Sequence, residues 1–90
     1  MSTLPYILLY KDSVAKDLKK LPLEVRRLVV KKILALVNNP RPAGSTKLQG
    51  SDNLYRIRQA DYRIVYRIDQ GELIILIIKV GHRKEIYRDF

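Results

Sequence analysis

The chain has 90 residues, a hydrophobic content of 47% and a formal net charge of +9 at pH 7. This length suits a single domain, which we assign to residues 1–90, and the hydrophobic content is typical of a globular chain and not of a disordered one. The absence of cysteine excludes disulfides and thiolate zinc sites, and one histidine without clustered carboxylates predicts no metal site and no other cofactor.

The first half of the chain predicts a strand followed by two helices. Residues 4–10 are aromatic and aliphatic, which indicates a strand, and Asp12 or Ser13 can cap a helix after it. Pro22 separates this helix from a second one, and Asn38-Asn39-Pro40 ends the second. The apolar positions are Val14, Leu18 and Leu21 in the first helix and Val25, Leu28, Val29, Ile33, Leu36 and Val37 in the second. Both stripes follow the helical period, so we expect an antiparallel helical hairpin.

The second half predicts a loop and three strands. Residues 40–53 are rich in turn-forming residues and indicate the loop. Leu54–Gln59 and Tyr62–Asp69 flank a tight turn at Ala60-Asp61, and residues 72–80 form a strand after a turn at Gln70-Gly71. This last strand does not alternate, which favours a central position. The order is β-α-α-β-β-β, an α+β fold with one mostly antiparallel sheet and the helical hairpin packed on one face.

Alternation along two of these strands puts arginines together on one face. Successive side chains of a strand point to opposite faces, so the apolar rows can pack on the helices. The opposite face then carries Arg56, Arg58, Arg63 and Arg67. Like charges placed side by side destabilise a sheet, and this crowding favours an anion-binding surface over a solvated face of ordinary surface arginines.

The segment after the last strand supplies further candidate groups. Gly81 permits a sharp exit from the sheet and can deliver His82 and Arg83 to the rim of the arginine face. If the end of the chain is helical, Arg83 and Tyr87 lie four residues apart and face the same way. Taken alone, His82 is more typical of a surface loop and Tyr87 of packing, but beside four arginines they become candidate acid–base groups.

The charge of the chain indicates a polyanionic partner. Eighteen Lys and Arg oppose nine Asp and Glu, and the excess is spread over both halves of the chain. Nucleic acid is the commonest such partner, and an acidic protein or an anionic membrane also fits the charge alone. The longest apolar run, residues 73–78, is far shorter than the roughly 20 residues that span a bilayer, and no secretory signal is visible. We therefore expect a cytoplasmic chain with no membrane partner.

Four segments of the chain resemble the RelE/ParE toxin superfamily in their order and spacing. They are Lys47-Leu-Gln-Gly, Tyr55-Arg-Ile-Arg, Asp61-Tyr-Arg-Ile-Val-Tyr-Arg-Ile and Val80-Gly-His-Arg-Lys-Glu-Ile-Tyr, and the helical hairpin before them matches too. The resemblance covers nearly the whole chain and implies a RelE-like fold. It also implies the toxin of a type II toxin–antitoxin pair, a RelE-type mRNA interferase that cuts messenger RNA in the ribosomal A site and so inhibits translation.

The resemblance also implies roles for particular residues. The basic strand positions of the family fall on Arg56 and Arg58, where well-known members have lysines. Since arginine cannot act as a base, both are better assigned to holding phosphate. The residues that the resemblance and the strand pattern together assign to catalysis are Arg63, His82, Arg83 and Tyr87. Those assigned to RNA binding are Lys47, Arg56, Arg58, Arg67 and Lys84. Metal-free attack by the 2′-hydroxyl needs charge stabilisation, which arginines supply, and proton transfer, for which His82 and Tyr87 remain alternatives.

The implied partners are an antitoxin, the ribosome and mRNA. A basic, exposed groove suits an acidic antitoxin that is partly disordered when free. DNA would be reached only indirectly, through the antitoxin complex. The alternatives are a ParE-like inhibitor of DNA gyrase, an inactive RNA-binding homologue and a protein whose acidic partner involves no nucleic acid. The order His82-Arg83 followed by Tyr87 favours the ribonuclease branch.

Overall fold

The computed structural model describes residues 5–84, which form two helices and five strands. The helices are α1 (Asp12–Lys19) and α2 (Leu23–Ala35). The strands are β1 (Ile7–Tyr10), β2 (Thr46–Lys47), β3 (Leu54–Gln59), β4 (Tyr62–Asp69) and β5 (Ile74–His82). The sheet has the order β1-β5-β4-β3-β2, with β1 parallel to β5 and the other pairs antiparallel. The prediction of an α+β fold with a mostly antiparallel sheet is confirmed.

The apolar stripes of the two helices pack against the sheet. The core includes Val14 and Leu21 from the α1 segment, Val29, Ile33 and Leu36 from the α2 segment, and Ile57, Ile64, Tyr66, Ile68, Ile75, Ile77 and Val80 from the strands. Leu28 departs from its predicted place in the stripe and is 49% exposed. It precedes Val29, and the one-residue rotation of about 100° takes its side chain off the packed face. No helix within residues 5–84 is long and apolar enough to cross a membrane.

Helix α1 begins without the side-chain cap that the sequence predicts. Lys11 occupies the N-cap position and makes no side-chain capping bond, and Asp12 is already in the first turn. The Lys11 N–H donates to the Ile77 carbonyl at 3.0 Å, so the chain leaves β1 at this residue and turns directly into the helix. The Asp12 carboxylate still stabilises the positive end of the helix dipole.

Strand β5 lies at the centre of the sheet, as its apolar sequence predicts. It pairs with β1 on one side and β4 on the other, and a register shift between Val65 and Tyr66 bends the β4–β5 ladder. Its first residue is Ile74, two residues later than predicted. The turn before it holds Leu73 at a positive φ of 57°, and the Asp69 carboxylate accepts the Glu72 N–H at 3.0 Å. This side-chain bond extends the turn at the expense of the strand.

The loop after α2 contains a short strand that the sequence did not reveal. Two residues of β2 pair with Tyr55 and Arg56 at the outer edge of β3. A strand this short carries no readable alternation of apolar and polar residues, and the turn residues around it indicate a loop. The pairing matters because it fixes the loop against β3, beside the arginine face.

Two tyrosines anchor this loop to the sheet. The buried Tyr66 hydroxyl donates to the Pro40 carbonyl at 2.7 Å, and burial raises the pKa of Tyr66 to about 12. The Arg41 guanidinium lies 5.2 Å from the Tyr55 ring centroid, and its Nε donates to the Tyr55 hydroxyl at 3.0 Å. This hydrogen bond raises the pKa of Arg41. Both contacts hold the loop where Gly44, at a φ of +92°, turns it toward β2.

The free energy of unfolding of the wild type is expected to fall at alkaline pH because Tyr66 ionises, and Tyr66→Phe is expected to lack this decrease. Because the pKa of Tyr66 in the fold lies above its ordinary value of 10.0, the folded chain holds the phenolic proton more tightly than the unfolded chain. This contribution to the free energy of unfolding is complete below about pH 10 and is lost as the pH rises toward about 12. At about pH 8, the wild type should be about 1 kcal/mol more stable than Tyr66→Phe, because the variant lacks the hydrogen bond.

Urea unfolding of both proteins between about pH 8 and pH 12 measures this difference. Tyr10→Phe is the matched control, because the Tyr10 side chain is exposed and its loss should leave the pH profile of the wild type unchanged. A constant difference between the wild type and Tyr66→Phe at every pH would contradict the assignment.

Candidate nucleic-acid interface

The β3–β4 register puts four arginines on the sheet face opposite the helices. Arg58 pairs with Arg63, Arg56 pairs with Val65, and Arg67 pairs with Leu54 on the same face. The face is not a uniform solvated row, however. Arg58 and Arg67 are exposed, Arg56 is half-buried, and Arg63 is only 7% exposed. Strand alternation therefore predicts the shared face, but the environments of the four guanidinium groups differ.

Three of these arginines line one pocket with a lysine from α2. The pocket has a volume of about 290 Å³ and lies where the outer edge of β3 runs past the end of β2. It is lined by Lys32, Ala43, Gly44, Thr46, Arg56, Ile57, Arg58 and Arg63. We call it the cationic pocket, because four of these residues carry positive charge and none is acidic. Such a cluster in a partly enclosed site attracts anions, and guanidinium groups suit the forked geometry of phosphate.

Lys32 is the cationic residue of this pocket that the sequence pattern did not assign to the site. It is half-buried on α2, three residues after Val29 and four before Leu36, and both of these are in the core. A lysine at the border of a packed helix face extends its charged end past the apolar surface. The place of Lys32 at the border of the packed helix face could be predicted from the apolar stripe. The approach of α2 to the edge of β3 at this point could not.

The last residues of β5 are placed differently from the prediction. The strand does not leave the sheet at Gly81, because Gly81 continues the ladder opposite Arg63, and His82 pairs with Tyr62. This register puts His82 on the helix side of the sheet and not at the rim of the arginine face. Its ring meets the Tyr62 ring edge-on, with 5.6 Å between the centroids. The expectation of a sharp exit at Gly81 is wrong, since β4 extends to the turn and keeps β5 paired.

His82 lines a second, smaller pocket. This cavity has a volume of about 120 Å³ and is lined by Asp17, Lys20, Leu21, Tyr62, Val80, Gly81 and His82. The His82 Nδ1 accepts the Lys84 backbone N–H at 3.3 Å. A neutral imidazole that accepts at Nδ1 carries its proton on Nε2, so the free nitrogen of this ring is a hydrogen-bond donor.

Arg83 lies at the same end of the sheet as the Arg58–Arg63 pair. Its backbone N–H donates to the Asp61 carbonyl at 2.8 Å. Asp61 belongs to the β3–β4 turn, in which Ala60 has a φ of 55°, and Arg58 and Arg63 flank that turn one residue pair further along the strands. The Arg83 side chain is exposed. Three arginines therefore originate at the same end of the sheet.

The remaining residues assigned to RNA are spread more widely. Lys47 is exposed on β2 opposite Tyr55, and Lys84 is exposed beside Arg83. Arg67 pairs near the other end of β4 and does not line the cationic pocket. Tyr87 lies outside the described residues.

Known proteins share both the sequence pattern and this architecture. Residues 8–87 match the model of the family described as the ParE toxin of the type II toxin–antitoxin system parDE. The chain belongs to the RelE/ParE toxin family. It is 33% identical over 85 residues to Toxin RelE of Mycobacterium tuberculosis, covering 93% of this chain and 88% of that protein. It is 31% identical over 88 residues to the mRNA interferase toxin RelE of Escherichia coli, covering 93% and 92%.

The structural comparison supports the same family. The archaeal RelE–RelB complex from Pyrococcus horikoshii contains a chain with a TM-score of 0.79 to this one and 30% sequence identity. The match covers 88% of this chain and 96% of that chain. The RelE-like fold of this toxin-family member is therefore confirmed.

Proposed function

We propose that this RelE/ParE family toxin is a ribosome-dependent endoribonuclease that cuts messenger RNA in the ribosomal A site and inhibits translation. The observation that carries the proposal is the grouping of cations at one end of the sheet, where Arg58 and Arg63 of the cationic pocket flank the turn to which the Arg83 backbone is bonded. Cations grouped on one face are the electrostatic footprint of a nucleic-acid-binding protein. The relative named as an mRNA interferase, to which this chain is similar over most of its length, supports the same chemistry.

In this proposal the 2′-oxygen of the RNA attacks the neighbouring phosphate to form a 2′,3′-cyclic phosphate, and the bond to the 5′-oxygen of the next nucleotide breaks. The 2′-hydroxyl gives up its proton, and the leaving 5′-oxygen takes one up. Arg63 and Arg83 stabilise the charge that develops on the phosphate oxygens, while Arg56 and Arg58 hold the strand. None of the described residues that line the cationic pocket carries a carboxylate, so this donor set suits direct attack by the 2′-hydroxyl. Few groups here can transfer a proton, which makes alignment of the substrate by the ribosome an important part of the rate.

The proposed partners are an acidic antitoxin, the ribosome and mRNA. The Pyrococcus horikoshii relative was solved as a complex with RelB, which supports an antitoxin for this toxin as well. The high positive charge suits a partner of opposite charge that is partly disordered before it binds. DNA would be contacted only through the antitoxin complex. Since ribosomes are the target, the proposed place of action is the cytoplasm.

We expect His82 to contribute at most one hydrogen bond to catalysis, because its register puts it on the helix side of the sheet, and Tyr87 is then the alternative proton carrier. The His82 Nδ1 is occupied by the Lys84 N–H, so Nε2–H is the group that the neutral ring can offer to a substrate oxygen. The amide N–H of His82→Gln can replace this donor, and the variant should cut within about tenfold of the wild-type rate, the worth of one hydrogen bond. A side chain that transfers the proton contributes about 10²–10⁴ instead.

Single-turnover cleavage on programmed ribosomes measures both outcomes. His82→Ala is the matched variant, because it lacks the donor as well as the ring. If the cleavage rate of His82→Gln falls by the factor expected for the loss of a general acid or base, the imidazole transfers a proton and is not merely a hydrogen-bond donor.

The test of the proposed function applies one preparation of the toxin in three assays. We expect cuts in mRNA bound to programmed ribosomes, few or no cuts in the same mRNA when it is free, and no effect on supercoiling by DNA gyrase. The match to the ParE family model makes gyrase the second candidate target. Gyrase inhibition without RNA cleavage would favour that branch, and mRNA binding without cleavage or gyrase inhibition would identify an inactive homologue.

A further inference from the structure

We propose that Lys32 extends the RNA-binding surface from the arginine face onto helix α2, where its ammonium group holds a phosphate of the RNA strand. The inference rests on the proposed function only for the identity of the polyanion. The residue itself is assigned by its place in the cationic pocket.

The pocket joins the two sides of the sheet around an open edge. β2 covers only Tyr55 and Arg56, so β3 continues past the end of its outer neighbour. At this gap the arginine face and α2 border the same 290 Å³ space, with Ile57 between them. A strand of RNA that follows Arg58 and Arg56 along β3 therefore meets Lys32 at the edge.

The charged residues that line the pocket with Lys32 favour the binding of an anion. Among the residues that line the pocket, Lys32, Arg56, Arg58 and Arg63 are cationic and none is acidic. Within residues 5–84, no carboxylate lies within salt-bridge distance of Lys32, and the ion pair that the structure does show joins Lys79 and Asp17. Lys32 and Arg58 therefore bring positive charge to the pocket from both α2 and β3, which attracts a phosphate.

A lysine suits this position because its charge is carried on a flexible stem. The three arginines lie on strands whose register fixes their backbone positions. The ammonium group of Lys32 can reach different phosphate positions on its flexible stem. Apolar Ile57 also lines the pocket, as does Gly44, around which a side-chain carbon would meet no atom within 4 Å. Lys32 is therefore expected to contribute sequence-independent affinity, as phosphate contacts do.

The experiment compares Lys32→Gln with Lys31→Gln. Both variants remove one positive charge from adjacent positions of α2, but Lys31 is exposed and lines a different surface with Arg26 and Arg27. Binding of a short 2′-O-methyl RNA, which cannot be cut by 2′-hydroxyl attack, is measured by fluorescence anisotropy over a range of salt concentrations. Circular dichroism confirms that both variants are folded.

We expect Lys32→Gln to bind severalfold more weakly at low salt and to lower the slope of log K against log salt by about 0.7, the loss of one phosphate contact on a single strand. Lys31→Gln should keep the wild-type slope, and Lys32→Arg should keep it too because the charge remains. Equal slopes for Lys31→Gln and Lys32→Gln would overturn the proposal, since only net charge would then matter.

Cleavage of mRNA by the wild type on programmed ribosomes is measured beside these binding curves. If the wild type cuts mRNA and the two glutamine variants bind alike, the assignment of Lys32 is wrong and the proposed function stands. If the wild type cuts no mRNA, the proposed function is wrong, and the slope comparison alone still decides whether Lys32 contacts phosphate.

Discussion

Arg83→Ala is expected to slow mRNA cleavage on programmed ribosomes by about 10²–10³, the effect of losing one donor that stabilises charge in the transition state. The Arg83 N–H is tied to the Asp61 carbonyl, so the residue is held beside the turn that Arg58 and Arg63 flank. Its side chain is exposed and free to contact a substrate. The backbone bond survives the substitution, and the fold should therefore be unchanged.

The matched control for this prediction is Arg27→Ala. Arg27 is also exposed, but it lies on α2 and lines a surface away from the arginine face. It should cut at nearly the wild-type rate, because its removal changes the net charge and leaves the arginines at that end of the sheet in place. Comparable losses in the two variants would show that overall charge, and not the placement of Arg83, sets the rate.

Asp17→Ala is expected to lower the free energy of unfolding by about 1–3 kcal/mol, the cost of leaving a buried donor without its acceptor. Asp17 is 7% exposed on α1, and its carboxylate accepts the Val80 N–H at 3.2 Å and the Lys79 ammonium at 3.4 Å. The β1–β5 ladder ends at Ile77, so beyond that point the carboxylate takes the place of a strand partner. Alanine would leave the buried Val80 N–H without an acceptor.

Thermal unfolding and urea titration measure this loss, which should lower the Tm by roughly 5–20 °C in a domain of this size. Asp17→Asn keeps an oxygen that can accept the Val80 N–H and should retain part of the stability. Asp52→Ala removes an exposed carboxylate and should change the free energy of unfolding by less than about 0.5 kcal/mol. Wild-type stability in Asp17→Ala would mean that the contact contributes little to holding β5.

Much of the fold could be predicted because periodicity and turn residues are local. Tyr62–Asp69 has the predicted bounds, since alternating apolar residues lie between a turn at Ala60-Asp61 and another that begins at Gln70. The central position of β5 followed from its unbroken apolar sequence. The short β2 was missed because two residues carry no period.

The parts of the candidate site that depend on strand alternation could be predicted. The parts that depend on contacts between elements distant in sequence were missed. Alternation was sufficient to group Arg58 with Arg63, because adjacent strands in register share a face. It could not show that α2 brings Lys32 to the open edge of β3. It also could not show that His82 faces the helix side, since that requires knowing that the ladder continues past Gly81.

The most direct test of RNA cleavage uses ribosomes programmed with two messages that differ only in the sugar of the A-site codon. One message has ribose throughout, and the other has 2′-deoxyribose in that codon, which removes the attacking hydroxyl. The account predicts that the wild type cuts the ribose message within the A-site codon and leaves the deoxy codon intact. An uncut ribose message on ribosomes, or equal cutting of both messages, would contradict it.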